Sequence, residues 1–259
     1  MASIMKKVFW TTVLLVLSFS WARVGAEETV IQQKPVRLIT SSERNIFPES
    51  WLSAEIDAKA EALRKDEIKR SRKILNSAIK KYRGRVLADN LDTVYVLHRL
   101  KYYGISVSGT NSWPNVYIAN RGSREGFTDQ WVETTFHEEF SSILLRNFPG
   151  YLAREAWEKA NGESFRYGES GVQAVKDGTA GQRFDAPYHA EGFLYEYAKS
   201  TLENDLNSIA GQLFIGDPLF WQVVDKYPRM AEKTELVISF YNKIHPGFDK
   251  RSFRSLAGK

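Results

Sequence analysis

Residues 128–150, TDQWVETTFHEEFSSILLRNFPG, constrain the fold more than any other stretch of the chain. Thr128 or Asp129 can cap a helix here, and Pro149-Gly150 must end it. Between them Val132, Phe136, Phe140 and Ile143 form an apolar stripe, and His137, Ser141, Leu144 and Phe148 form an adjoining row. Together the two rows cover a broad arc, so the helix belongs inside the molecule, with other elements packed against it. It carries an imidazole inward, with the carboxylate of Glu138 next to it.

The chain starts MASIMKKVFWTTVLLVLSFSWARVGAEE. Lys6 and Lys7 precede an apolar run that Arg23 closes, and Val24-Gly25-Ala26 offers small residues for cleavage. This is the layout of a secretory signal peptide over residues 1–26. The run is shorter than the roughly 20 residues of a membrane-spanning helix. The expectation is therefore a secreted or periplasmic protein with no membrane span after cleavage. Removing the leader lowers the formal charge from +5 to +2, since 33 basic residues then face 31 acidic ones. A nucleic-acid partner would need a concentrated basic face, which such a balance does not supply. The chain has no cysteine, which excludes a disulfide framework and a cysteine-linked lipid. Stability has to come from a core, and the roughly 230 remaining residues are enough to bury one.

Residues 27–50 carry Pro35 and Pro48 and little periodicity, so they read as an extended lead-in, followed by a single domain over 51–259. Ala, Glu, Lys, Arg and Leu dominate from Ser53 to Tyr82, with apolar residues at helical spacing, which predicts a long helix ended by Gly84. A second helix is expected over Asn90–Tyr103, punctuated by Gly104. ISVSG and NVYIAN then read as short strands. Residues 161–188 are rich in glycine and proline and form a long surface excursion. Helical patterning returns at 191–198, 201–214 and 219–241. The sum is an α+β domain, mostly helical, with a small sheet packed against the motif-bearing helix.

Two imidazoles four residues apart share one helix face and can grip one zinc ion, with the glutamate after the first serving as general base on a metal-bound water. Here the pattern reads His137-Glu138-Glu139-Phe140-Ser141, HExxS where a zinc helix has HExxH. A serine hydroxyl is a poor zinc ligand beside an imidazole or a carboxylate. The competing reading is a core histidine hydrogen-bonded to a neighbour. His189, just before Glu191-Gly192, is the best substitute ligand. His98 reads as packed or exposed, and His245 has no partner pattern. Tyr167 or Tyr188, on the excursion, could polarise a carbonyl.

TTFHEEFSSILLRNFPGY, followed some fifty residues later by GFLYEYAKSTLENDLNSIAGQLF, resembles the zinc-binding metallopeptidases exported by bacteria. Part of that group is known as substrate-import-associated zinc metallohydrolase lipoproteins. The resemblance covers about residues 90–245. It implies a zincin-like fold of the gluzincin type, with zinc held by His137, by a residue at the Ser141 position and by an acid on the later helix. Glu203 is one candidate for that acid. A second register puts Asn204 and Ser208 there instead. Glu203 also completes a capping box, Ser200-Thr201-Leu202-Glu203.

Two functions stand open at this point. One is an exported zinc peptidase in which Glu138 activates water against a peptide or protein substrate, with metal on His137, Glu203 and one substitute among Ser141 and His189. The other is an inactive pseudo-peptidase that binds a peptide, a glycan or another envelope component.

Overall fold

A computed structural model describes residues 28–257; the leader expected over 1–26 lies outside the described residues. The strands are β1 (Thr29–Gln32), β2 (Arg37–Thr40), β3 (Lys59–Ala62), β4 (Thr93–Tyr102), β5 (Ile105–Ser106), β6 (Gly109–Asn111) and β7 (Val116–Ala119). The helices are α1 (Lys65–Ile79), α2 (Val86–Asn90), α3 (Asp129–Asn147), α4 (Arg154–Asn161), α5 (Gly171–Lys176), α6 (Ala186–Glu191), α7 (Leu202–Ile215), α8 (Pro218–Lys226), α9 (Pro228–Ile244) and α10 (Lys250–Leu256).

The architecture is α+β, with a small mixed sheet ordered β1-β2-β4-β7-β6 against the motif-bearing helix. Its centre is β4, which corrects the helix expected over 90–103. The first half of β4 pairs in parallel with β2 on one side and β7 on the other, and its second half takes β3 and β5 antiparallel. Val94, Val96, Leu97 and Leu100 are all buried. Tyr103 (φ 53°) and Gly104 (φ 78°) make the two-residue turn to β5, and paired positive φ values are what a tight hairpin of this twist requires. Gly104 thus turns a hairpin; it does not end a helix.

Within the segment read as a lead-in, two strands join the sheet. β1 and β2 form a hairpin, and Leu38 and Ile39 are wholly buried. The helix expected from Ser53 begins only at Lys65, because residues 59–62 form β3. The span 219–241 is two helices, since Pro228 cannot continue α8 and instead opens α9. The excursion over 161–188 contains the short α5 and the start of α6. No helix of the described residues is long and apolar enough to cross a membrane.

At the centre, α3 is capped as expected by Thr128, whose side chain accepts from Trp131 N, and it runs to Asn147. One side of it meets β6, β7 and α1, and the other meets α7. Phe136, Phe140, Ile143 and Leu144 are fully buried between them.

Candidate functional site

The antiparallel pairing of α3 with α7 positions His137, Glu138, Ser141 and Glu203. Glu203 reaches Arg146 (3.3 Å), Asn207 donates to Ser142 (2.7 Å), and the bare Cα of Gly211 faces Thr134 and Glu138. Each step of four residues is one turn, so positions 203, 207 and 211 lie across from 146, 142 and 138. Farther along α7, Phe214 lies beside His137 and Gln212 lines the space beside Glu138. Glu203 lies toward the other end of α3, level with Arg146, about 13 Å along the axis from His137 at 1.5 Å per residue.

His137 is sealed, with no exposed surface. Its ring stacks on Phe214 (4.8 Å between centroids, 15° between planes) and lies near Tyr82 and Phe136. Nδ1 is 2.9 Å from the Tyr82 hydroxyl. Nε2 has no hydrogen-bond partner nearer than Glu133 Oε1 at 3.6 Å. Burial lowers the imidazole pKa to about 4, against the opposing pull of Glu133. The ring is therefore neutral, with Nδ1 accepting from Tyr82 and the Nε2 hydrogen turned toward Glu133. That carboxylate already holds the Lys81 ammonium at 2.7 Å. Burial alone would raise the Glu133 pKa, but His137 and Lys81 outweigh it and keep the group below the usual range.

The other residues of the implied zinc set are each committed elsewhere. The Ser141 hydroxyl donates to the His137 carbonyl and pairs with the Tyr241 hydroxyl, both at 2.5 Å. His189 is turned to the Leu194 carbonyl (3.0 Å) and packs edge-on to Phe184 and Tyr227. Glu203 is part-exposed on Arg146. The capping box assigned to it is corrected too. Thr201 is the N-cap of α7 and accepts from Asn204 N, while Ser200 bonds the Tyr197 carbonyl and the Asn204 amide. Among the described residues no group of three or more His, Cys, Asp or Glu side chains could hold a metal ion. A divalent cation at Nε2 would also meet the Lys81 ammonium that Glu133 already neutralises. These residues do not fit the zinc that the motif implies.

Glu138 has a different setting. One helical step round α3, it lines an open cleft between α3, the 175–184 part of the excursion and α7. One lobe, of about 220 Å³, is lined by Trp131, Glu138, Phe184 and Gln212 among others. The second, of about 190 Å³, is lined by residues 106–109, Glu139, Val175, Tyr197 and Asn207 among others. Both lobes share Trp131, Thr135, Glu138, Gln182 and Tyr195, so they are one depression. The Tyr195 hydroxyl donates to Glu138 Oε1 (3.0 Å), and the Asn111 amide donates to Glu139 Oε2 (2.6 Å). Burial pushes Glu138 up to about 7 and Glu139 up to about 8. Glu139 is raised further by Glu138 and Glu203 nearby and lowered by Asn111 and Arg146.

The sequence reading did not include Glu139, Asn207, Gln212, Tyr195 or Trp131 in the site. The signal for Glu139 was present, because a second carboxylate adjoins the first. The signal for Tyr195 was not, because Tyr167 and Tyr188 are equally plausible by position. Tyr167 instead donates to the buried Asp205, and Tyr188 lines a separate surface hollow.

No protein-family profile matches the sequence, and no curated protein matches it. Among solved structures, the fold is similar to "a putative zinc-binding metallo-peptidase from Bacteroides caccae ATCC 43185". The two are 14% identical, the alignment covers 71% of this chain and 74% of that one, and the TM-score is 0.47. At that distance the likeness transfers neither a residue role nor an activity.

Proposed function

We propose that this chain is an exported, metal-independent binding protein, related in its motif to zinc peptidases, and that its cleft holds an extended polypeptide segment. Export rests on the leader-like residues 1–26. The observation that carries the binding reading is the divergence of the His137-Glu138 pair. The imidazole lies in a closed aromatic pocket with Lys81 and Glu133, and the neighbouring carboxylate lines open space. A hydrolytic zinc site needs both on the same ion and its water.

A polypeptide suits the cleft because a sheet edge borders it. β6 ends the sheet order, so among the described residues its outer edge carries no partner strand. Residues 106–109 line the cleft itself. An unpaired edge offers backbone donors and acceptors to an added strand. Trp131 and Val175, two of the large apolar side chains left exposed, stand on the rim where alternate side chains of a bound segment would pass.

The test combines metal analysis with binding. Purified protein should carry less than about a tenth of a zinc ion per chain and leave an unfolded substrate protein uncut. The same unfolded chain should quench tryptophan fluorescence saturably, and Trp131→Ala should reduce the signal. About one zinc per chain, lost in His137→Ala, would overturn the reading in favour of the hydrolase.

A further inference from the structure

We infer that the outer face of α1 docks the protein on a bilayer surface carrying anionic phospholipid headgroups; only the choice of partner rests on the export reading above. At about 100° per residue, Lys65, Lys69, Arg72, Lys73 and Lys80 fall within one arc of about 100°. That arc lies opposite the buried Ser71, Ile74, Leu75 and Ala78. All five side chains are exposed, and among the described residues none makes an ion pair. The row runs about 22 Å along the axis at 1.5 Å per residue, and Arg83, also exposed and without an ion pair, follows it. Asp66 borders the arc but is held by Arg64 at 2.7 Å, and Glu67 is held by Arg70 at 2.6 Å. Asn76, the neutral position of the row, exchanges amide hydrogen bonds with Gln32 of β1 (2.8 and 2.9 Å), which fixes the row to the sheet.

The second support is the distribution of charge over the whole chain. Residues 64–85 hold ten basic and two acidic side chains, a net charge of +8. The rest of the chain after residue 26 holds 23 basic and 29 acidic side chains, a net charge of −6. The near-neutral total therefore conceals a separation of charge, with the positive pole at α1. Solubility alone does not require it, because a helix face on which acids alternate with bases is solvated equally well. Fixed like charges concentrated on one face repel one another. A headgroup layer offers counter-charge along the full length of the row and repels the acidic remainder, so it turns α1 toward itself.

The attachment is electrostatic. The row matches the clusters of about four to eight basic residues that hold proteins on anionic leaflets. None of the large apolar side chains left exposed lies on α1, so this face has nothing to insert among acyl chains and its binding is reversible and sensitive to salt. None of the five cations lines the cleft beside Glu138, so a docked molecule keeps that cleft open to a segment arriving from solvent.

The experiment is co-sedimentation of the protein without residues 1–26, the form that export leaves, with vesicles of phosphatidylcholine alone or with about a third phosphatidylglycerol. Partitioning onto the anionic vesicles should exceed that onto the neutral ones at least about tenfold in 0.1 M salt. It should collapse in 1 M salt, where the screening length falls from about 10 Å to about 3 Å. The variant K69E/R72E/K73E should lose at least about tenfold on the anionic vesicles. K159E/K176E/K226E changes the net charge equally at three exposed lysines off α1, and it should stay within about threefold of the wild type. Equal partitioning onto both vesicle types, or onto neither, would overturn the inference, and so would equal losses in the two variants. Tighter binding to a short DNA duplex than to anionic vesicles at the same phosphate concentration would overturn it in favour of a soluble polyanion. The lipid and salt comparisons need no variant, so they decide the matter even if the charge reversal disturbs folding.

Discussion

His137 and Glu138 are adjacent in sequence and opposite in behaviour, because one helical step of about 100° separates a sealed aromatic pocket from an open cleft. The motif was legible; which side of it would face solvent was not, since that depends on Phe214 and Tyr82 arriving from distant parts of the chain. Two predictions belong at this scale. His137→Ala should destabilise the fold by about 2 to 4 kcal/mol, as large-to-small core changes do. The loss should be the same in zinc and in chelator, as measured by urea denaturation; a cost that grows with zinc would mean the imidazole is a ligand. The second concerns pH. A carboxyl whose folded pKa is raised carries no ionisation penalty below its unfolded value near 4.5, and loses stability as pH climbs through its folded value. Glu138 and Glu139, at about 7 and 8, should therefore weaken the fold between about pH 5 and 8. His137, depressed to about 4, acts in the opposite sense, since its contribution is present above pH 6.5 and lost as pH falls toward 4. In E138Q/E139Q the urea midpoint should stop falling above pH 5 while the decline below pH 6 remains. A midpoint that falls above pH 5 as steeply as in the wild type would contradict the raised carboxyls.

Among the elements, legibility divided along one line. Helices with a capped start and a punctuated end, α3 and α7, stand where the sequence puts them. The central strand β4 reads as a helix because strands flank it on both sides, so Val94, Tyr95, Val96 and Leu97 show no alternation of apolar and polar residues. Its partners β2 and β7 come from segments more than 20 residues away in either direction, which no local window contains. The cleft was illegible for a related reason. Its floor is α3, but Asn207 and Gln212 reach it through the register of α7, and Gly109 sets how closely β6 approaches. A methyl on Gly109 would lie 2.5 Å from Thr135 Cγ2 and 2.8 Å from Glu139 Oε1, well inside contact distance. Gly109→Ala should cost about 1 to 3 kcal/mol, as overpacking does, and push Glu139 from the Asn111 amide. Thermal unfolding reads the first effect, and the Glu139 side-chain carboxyl shift in carbon-detected NMR reads the second. An unchanged melting temperature would mean that β6 is not held against α3.

At the scale of the whole molecule, one buried charge pair joins parts that the α3–α7 contact does not reach. The Lys233 ammonium on α9, with no exposed surface, meets Asp205 on α7 and the Gly192 carbonyl, and sits 4.0 Å from the Phe193 ring centre and 4.9 Å from that of Trp157 on α4. Tyr167, on the excursion, donates to the same Asp205 carboxylate and accepts from Trp157 Nε1 and the Asn161 amide. Two helices of the far layer, the 192–193 turn and the start of the segment that roofs the cleft are thus tied through one carboxylate. Removing one member of such a pair leaves the other charge buried without a partner, a loss of about 3 to 5 kcal/mol, whereas removing both avoids that penalty. Lys233→Met and Asp205→Asn should each fall near that range in urea denaturation, and the double variant should cost no more than either alone, giving a coupling energy of at least about 3 kcal/mol. The single variants should also release Tyr167, so protease cleavage within residues 162–183 should quicken more than cleavage elsewhere. Additive single costs, or cleavage that rises evenly along the chain, would mean that the pair stabilises the core alone and leaves the roof of the cleft to other contacts.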